Sequence, residues 1–248
     1  MEAALRKPGV VYLYQFPRCT RSPSPSPYCW KVETFLRMAK IDYIVTGSYT
    51  MGPKGKLPFI ELDGETVADS DFIIEFLIKR FNLTMNDHLD ERQKAVAHAM
   101  EQMLEENTIM ALPHHHARVR HMQDMPYMLE TNPGFFFYWM VRLKVGKTLE
   151  AVLNAQGLGR HSVAEVATIV GKDLGALSAL LGSSHYVMGD TMTSYDAGVF
   201  GMMASLYYLI PDSEPRRLMD GKYSNIGDYV KRLRAELYPD WDELLCKG

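Results

Sequence analysis

Residues 56–70 read KLPFIELDGETVADS, and the order of signals within them decides the fold. Leu57-Pro58 opens a short apolar run, Phe59-Ile60-Glu61-Leu62, which stops at Asp63-Gly64 and resumes as Glu65-Thr66-Val67-Ala68. Asp-Gly between two β-prone runs marks a two-residue hairpin turn, since Asp and Gly tolerate the positive φ that such a turn needs. A proline at the head of the first strand is compatible with this, because it starts the strand rather than interrupting it. Asp69-Ser70 then supplies an N-cap for a helix to about residue 81, with Phe72, Ile73, Phe76, Leu77 and Phe81 along its apolar face.

Upstream, residues 10–15 (VVYLYQ) are β-branched and aromatic between Pro8-Gly9 and Pro17, which suits a buried strand. Residues 22–38, SPSPSPYCWKVETFLRM, begin as three Ser-Pro pairs and become a helix. Alternating prolines keep the loop extended and stiff. Ser26 is its N-cap and Pro27 suits the first turn, after which Trp30, Val32, Phe35, Leu36 and Ala39 recur at helical spacing. Residues 41–45 are again strand-like. A β-α-β unit followed by a proline-led hairpin and a helix is the order of a thioredoxin-like domain, here residues 1–82.

Beyond residue 82 the texture changes to long helical periodicity, over about 88–112, 135–155, 162–182, 195–209 and 225–237. The fold class is therefore α/β plus all-α, with residues 88–248 forming a helical domain. Pro113, Pro126 and Pro133 break the pattern over 113–134, where a loop with a short helix is expected. Thr193-Ser194-Tyr195-Asp196 is a capping box at the start of the fourth long helix, each end satisfying the other's orphan amide.

Composition narrows the function. The 248 residues are 47% hydrophobic, enough to bury a substantial core, and 27 basic against 30 acidic residues leave a net charge of −3. No basic cluster is available to neutralise phosphates, so nucleic acid is not an expected partner. Three cysteines are too few for a disulfide framework and favour a reducing compartment. The N-terminal segment has no long apolar stretch, and no window reaches the roughly 18 apolar residues of a membrane span. A soluble, cytoplasmic protein is expected.

The chemistry gathers at two helix N-termini. A hydroxyl at the start of a helix can donate to a thiolate that the free amides and helix dipole already favour. Ser26-Pro27-Tyr28-Cys29 resembles the glutaredoxin Cys-Pro-Tyr-Cys motif with serine in place of the first cysteine. A dithiol cycle is then unavailable, and the thiol must come from a cofactor. Cys29 itself falls inside the helix, as a structural residue or, in a rival reading, as a redox thiol. Asp69-Ser70 offers a second anion-binding helix start.

Together these features resemble the glutathione site of the cytosolic glutathione transferases. Ser26-Pro27-Tyr28 is similar to the Ser-Pro-Phe of their serine-type members. The resemblance implies that Ser26 is the catalytic hydroxyl, with Tyr28 beside the cofactor, glutathione. It implies Leu57, before Pro58, as the backbone clamp for the cysteinyl unit and Lys56 as partner of the glycyl carboxylate. Asp69 and Ser70 become the γ-glutamyl pair, although Glu or Gln is usual where Asp69 stands. Over nearly the whole of residues 10–241 the chain resembles the failed axon connections family, a branch of the glutathione transferase fold related to the metaxins; VYLYQFPR, GKLPFIELDGETVADSDFIIEFL and YVMGDTMTSYDAGVFG carry the likeness.

That branch implies either a transferase acting on a small hydrophobic electrophile, in the manner of detoxification enzymes, or a non-catalytic binding or scaffold protein. A homodimer with its clefts near the interface is also implied. In this fold the helical domain lines the electrophile pocket. His114, His116 and Arg118, just after a long helix, and Tyr138 and Trp139 in the aromatic run Phe135-Phe136-Phe137-Tyr138-Trp139, are the residues expected there. His114-His115-His116 does not suggest a metal, because three consecutive side chains do not converge on one ion.

Overall fold

The computed structural model of the protein describes residues 6–124 and 135–246, the side chains of 135–138, 140 and 141 lying outside the description. Strand β1 (Val11–Gln15) leads to helix α1 (Pro27–Met38), strand β2 (Tyr43–Gly47), the hairpin β3 (Phe59–Leu62) with β4 (Glu65–Ala68), and helix α2 (Ser70–Phe81). The sheet order is β2-β1-β3-β4, with β1 parallel to β2 and antiparallel to β3. Val45, Leu13, Ile60 and Val67 stand opposite one another and form one apolar row across all four strands. Onto this row pack Val32, Phe35 and Leu36 of α1 and Ile73, Ile74 and Leu77 of α2. This is the thioredoxin-like domain that the hairpin segment predicts.

Strand β2 starts two residues later than its sequence suggests, and the reason is local. Lys40 takes φ +53°, the Lys40 amide bonds Arg37 O at 3.2 Å and the Ile41 amide bonds Leu36 O at 3.0 Å. That is a Schellman ending, so Ile41 seals the C-terminus of α1 with its side chain buried instead of joining the sheet.

The second domain comprises α3 (Glu91–Glu106), α4 (Ala111–His114), α5 (Phe135–Gln156), α6 (Val163–Leu181), α7 (Ser194–Tyr208), α8 (Glu214–Asp220), α9 (Ser224–Leu237) and α10 (Trp241–Leu244). Helix α3 ends at Glu106, earlier than its periodicity suggests. Asn107 Nδ2 and Thr108 Oγ1 both donate to Asp173 Oδ2 of α6, at 2.6 and 2.7 Å, and draw the chain into a 3-10 turn. Pro113 does not break the helical path as expected: it falls in the first turn of α4, where no amide proton is needed. The chain then continues as a π turn over His115–Val119. Pro126 and Pro133 lie outside the described residues, while α8 and α10 are elements that the sequence reading did not anticipate.

Helix α7 runs through the centre. Asp196 Oδ2 accepts from the amide and hydroxyl of Thr193 (2.8 and 2.9 Å), and Oδ1 accepts from Val187 N and the Tyr229 hydroxyl (2.9 and 3.0 Å). The capping residue thus also ties α7 to α9 and to the preceding loop. On its other side α7 meets α1 at backbone distance. A Cβ at Gly201 would sit 2.9 Å from both Lys31 N and Pro27 O, and one at Gly198 would sit 2.2 Å from Glu101 Oε1.

Those contacts predict a contrast between two helical glycines. Gly201→Ala should destabilise the protein by about 1–3 kcal/mol, because backbone rather than a flexible side chain opposes the methyl group. At Gly171 the nearest atom would be Leu218 Cδ1 at 3.5 Å, so Gly171→Ala should be neutral or stabilising by about 0.5–1 kcal/mol. Denaturant unfolding of the two variants measures both values; equal effects would contradict the close α1–α7 packing.

Candidate functional site

The Ser-Pro loop is held by its own hydroxyls. Ser22 Oγ donates to Ser24 O at 2.6 Å, Ser24 Oγ donates to Ser26 O at 3.2 Å, and the Ser26 amide donates back to Ser24 Oγ at 3.2 Å. Arg18 Nη1 adds a bond to Pro23 O at 2.9 Å. Ser22 and Ser24 are fully buried, whereas Ser26 is half-buried. The Ser26 hydroxyl caps α1, accepting from Cys29 N at 3.4 Å. A hydroxyl that accepts in this way keeps its proton to donate. Arg18 is committed elsewhere, with its guanidinium in a bidentate pair with the buried Glu33 at 2.6 and 2.8 Å.

Cys29 is completely buried. Burial, outweighing bonds from Ser26, the Phe16 backbone and Ser24, pushes its thiol up to about 11. At neutral pH it is a packed thiol, not a nucleophile.

Opposite Ser26, the Leu57–Pro58 peptide is cis at the entrance to β3, and Asp69 caps α2 by accepting from Asp71 N at 3.1 Å. Asp69 takes φ +89°, a conformation that a side chain rarely adopts. These segments surround a cleft of about 710 Å³ lined by Ser26, Tyr28, Lys56, Leu57, Pro58, Asp69 and Ser70, all seven of the expected glutathione-site residues. Lys54 lines it too, and the helical domain contributes Glu105, Glu106, Met110 and Val152. Cations therefore stand on the loop before β3, and carboxylates stand at the two helices across from it. Tyr28 crosses the domain boundary, donating its hydroxyl to Glu105 O at 2.9 Å.

Beneath the acidic wall lies a cluster that the sequence reading missed. Lys31 Nζ, almost fully buried, meets Glu105 Oε1 at 2.6 Å, Glu101 Oε1 at 2.9 Å, and Asp71 Oδ1. Burial alone would lower the lysine pKa, but the three carboxylates overcome it and raise the pKa above the ordinary range. One carboxyl oxygen from each acid lies within 4.8 Å of the others, the spacing of a cation site, and the cation held there is the Lys31 ammonium. The signals were a lysine between Trp30 and Val32 in a buried helix, and Glu101 with Glu105 one turn apart.

The residues expected to hold the electrophile lie elsewhere. None of His114, His116, Arg118 and Trp139 is among the residues lining the Ser26 cleft. All three histidines are buried, neither facing that cleft nor solvated at a helix end. His114 and His115 border a separate hollow of about 50 Å³ among Val163, Val166, Val170 and Pro215. Burial lowers His114 and drives His115 down to about 4. His116 Nδ1 lies 3.5 Å from Asp124 Oδ2. Arg118 forms a bidentate pair with Glu150 at 2.7 and 2.6 Å. Trp139 is exposed under Arg142, 4.7 Å from its ring centroid, and the Tyr138 side chain lies outside the described residues. The helical turn through 111–119 carries the three histidines inward, which the tract's polarity does not suggest.

No helix among the described residues is long and apolar enough to cross a membrane. Residues 27–129 match the family model "Glutathione S-transferase N-terminal domain", and residues 170–233 match "Glutathione S-transferase, C-terminal domain". "Failed axon connections" of Drosophila melanogaster is 32% identical over 96% of this chain, which spans 60% of that protein's length. "Isoprene-epoxide--glutathione S-transferase" of Rhodococcus is 26% identical, over 92% of this chain and 99% of that one. Mouse "Metaxin-2" is 26% identical, over 85% of this chain and 81% of that one. Among solved structures, a glutathione S-transferase of Methylobacterium radiotolerans in complex with glutathione sulfonate superposes with a TM-score of 0.60 at 17% identity, covering 96% of each chain. With both domain models matched and the fold shared, the chain belongs to the glutathione S-transferase superfamily and, within it, resembles the failed axon connections and metaxin proteins.

Proposed function

We propose that the chain is a glutathione transferase that binds glutathione in the Ser26 cleft and adds its sulfur to, or exchanges it for a group on, a small apolar electrophile. The observation that carries this reading is the convergence of Ser26, Lys56, Leu57, Asp69 and Ser70, from three separate segments, on one cleft. Glutathione carries a carboxylate at its glycyl end, a thiol in the middle, and an ammonium with a second carboxylate at its γ-glutamyl end. Lys56 suits the first, Leu57 the cysteinyl backbone, and Asp69 with Ser70 the last, leaving the sulfur at the α1 N-terminus. There Ser26 turns its hydroxyl proton to the thiolate while the first-turn amides and helix dipole favour the anion. Ser26 is not consumed; it holds the nucleophile in its reactive form. The glutathione sulfonate held by the Methylobacterium structure and the isoprene epoxide named for the Rhodococcus relative support both halves of the reading.

The protein acts in the cytoplasm as a homodimer on this reading. Tyr49 and Phe72 are exposed on the glutathione-binding domain, and apolar surface of this kind suits a second copy. A second reading, a non-catalytic binding or scaffold protein, is favoured by the 32% identity to "Failed axon connections".

Retention on immobilised glutathione together with thiol addition to chlorodinitrobenzene separates the two readings, and absence of both favours the scaffold. On the transferase reading, Ser26→Ala should reduce kcat/KM by roughly 10–150-fold, the about 1.5–3 kcal/mol of one hydrogen bond to a charged sulfur. It should also reduce stability by about 1 kcal/mol through the lost N-cap. Cys29→Ser should leave conjugation intact, because burial holds that thiol protonated at neutral pH. Steady-state kinetics of both variants test this, and loss of turnover in Cys29→Ser alone would move the chemistry to the cysteine.

A further inference from the structure

The acidic wall of the cleft has no part in holding glutathione as described above. Glu105 and Lys31 are 4% and 1% exposed at their side chains, and Asp71 and Glu101 complete the group. With all three acids ionised, the group would carry a net charge of −2, Lys31 included; Asp71 is 43% exposed at its side chain, whereas Glu101 and Glu105 are buried. Glu101 and Glu105 lie together out of water, where burial disfavours the ionised form of each, so this pair retains a proton close to neutral pH.

Asp71 also lines the cleft but is half exposed; between the two buried acids, position decides which can deliver that proton. Glu101 lies beneath the wall, against the bare backbone of Gly198, and is not among the cleft-lining residues. Glu105 lines the cleft with Ser26, Met110 and Val152, and the Tyr28 hydroxyl holds its carbonyl at 2.9 Å. The groups that face its carboxyl are Lys31 from α1, Asp71 from α2 and Glu101 from its own helix. Burial, countered by Lys31 and reinforced by Glu101, pushes the carboxyl up to about 7.

We propose that Glu105 is the general acid of the site and that its electrophiles are small apolar epoxides, whose opening frees an oxygen that must take a proton. The inference rests on the transferase reading. In the step, the glutathione sulfur bonds to a ring carbon and the carbon–oxygen bond breaks toward oxygen. The Glu105 proton passes to that oxygen, giving a hydroxy thioether. The thiol's own proton leaves to solvent on activation, and the Glu105 carboxylate regains one from solvent. The balance is addition of one glutathione across the ring, with no oxidant or reductant. Met110 and Val152 supply the apolar contact for the ring's substituent. Displacement of chloride from a haloarene needs no such proton.

The test compares butylene oxide with chlorodinitrobenzene across pH in the full chain. Wild-type kcat/KM for the oxide should rise with thiol ionisation and then fall above about pH 7 as Glu105 deprotonates, whereas the haloarene profile should rise only. Glu105→Gln should lose about 100-fold or more on the oxide together with the alkaline fall, and keep haloarene activity. Glu101→Gln removes one of the charges that raises Glu105, so its alkaline fall should move to lower pH while the acidic-side rate persists. Equal losses on both substrates, an unchanged oxide rate in Glu105→Gln, or an unshifted fall in Glu101→Gln would overturn the assignment. Haloarene turnover with intact oxide conjugation in Glu105→Gln removes the acid and leaves the transferase; turnover of neither substrate by the wild-type chain removes both.

Discussion

Everything in the molecule depends on how α1 is enclosed. The sheet and α2 cover one side through Val32, Phe35 and Leu36, and α7 covers the other at backbone distance through Gly201. No face is left to water, yet the helix carries Lys31 and Glu33. Each is answered by charge from a different part of the chain: Lys31 by Asp71 of α2 and by Glu101 and Glu105 of the helical domain, Glu33 by Arg18 of the Ser-Pro loop. Arg37, one turn beyond Glu33, reaches Asp240 in the C-terminal segment at 2.6 Å. Buried pairs of this kind contribute little net stability against an apolar replacement, but breaking one costs about 3–5 kcal/mol. Their effect is to exclude other dockings of the two domains, because any shift of α1 would strand a charge.

That fixed docking gives the cleft its form. The N-terminus of α1 opens at the domain seam, so the amides that Ser26 caps face a space whose far wall is α3. The Ser-Pro loop makes the opening possible without disorder. Ser22 and Ser24 turn inward and bond the backbone two residues on, and the prolines remove amides that would otherwise need partners. Ser26, the last of the series, is the first to reach the cleft, because the helix begins there and bends the chain away.

What could be read in the sequence was what neighbours within about ten residues decide. The Asp63-Gly64 turn and the Ser26 and Asp69 caps depend on local spacing, and they lie where that spacing puts them; the α2 stripe is rotated slightly from its expected face, with Ile73, Ile74 and Leu77 buried and Phe72 54% exposed. The Ile41 seal was missed because a β-branched residue serves a strand or a Schellman cap equally well. The histidine tract misled for another reason. Three polar rings just after a long helix suggest a pocket wall, and only the packing of α4 against α5 and α6 turns them into the interior. Lys31, Glu101 and Glu105 lie up to 74 residues apart, and no spacing rule joins a buried lysine to acids at that separation.

The same distinction bears on transferase against scaffold. Ser26, Pro58 and Asp69 each have a complete structural duty, as helix cap, strand start and helix cap, so a chain that kept only the fold would still need them. Lys56 is different: it is exposed on the loop before β3, its carbonyl accepts from Gly52 N at 3.0 Å, and no hydrogen bond or ion pair engages its ammonium among the described residues. Glu105 is different in another way. One acid partner would have neutralised Lys31, and each further carboxylate adds desolvation and repulsion that the fold does not need. The joint presence of Lys56 and Glu105 on opposite walls of one cleft, a cation where a carboxylate would lie and surplus acid where a proton would be given, weighs on the side of a ligand that is bound and changed.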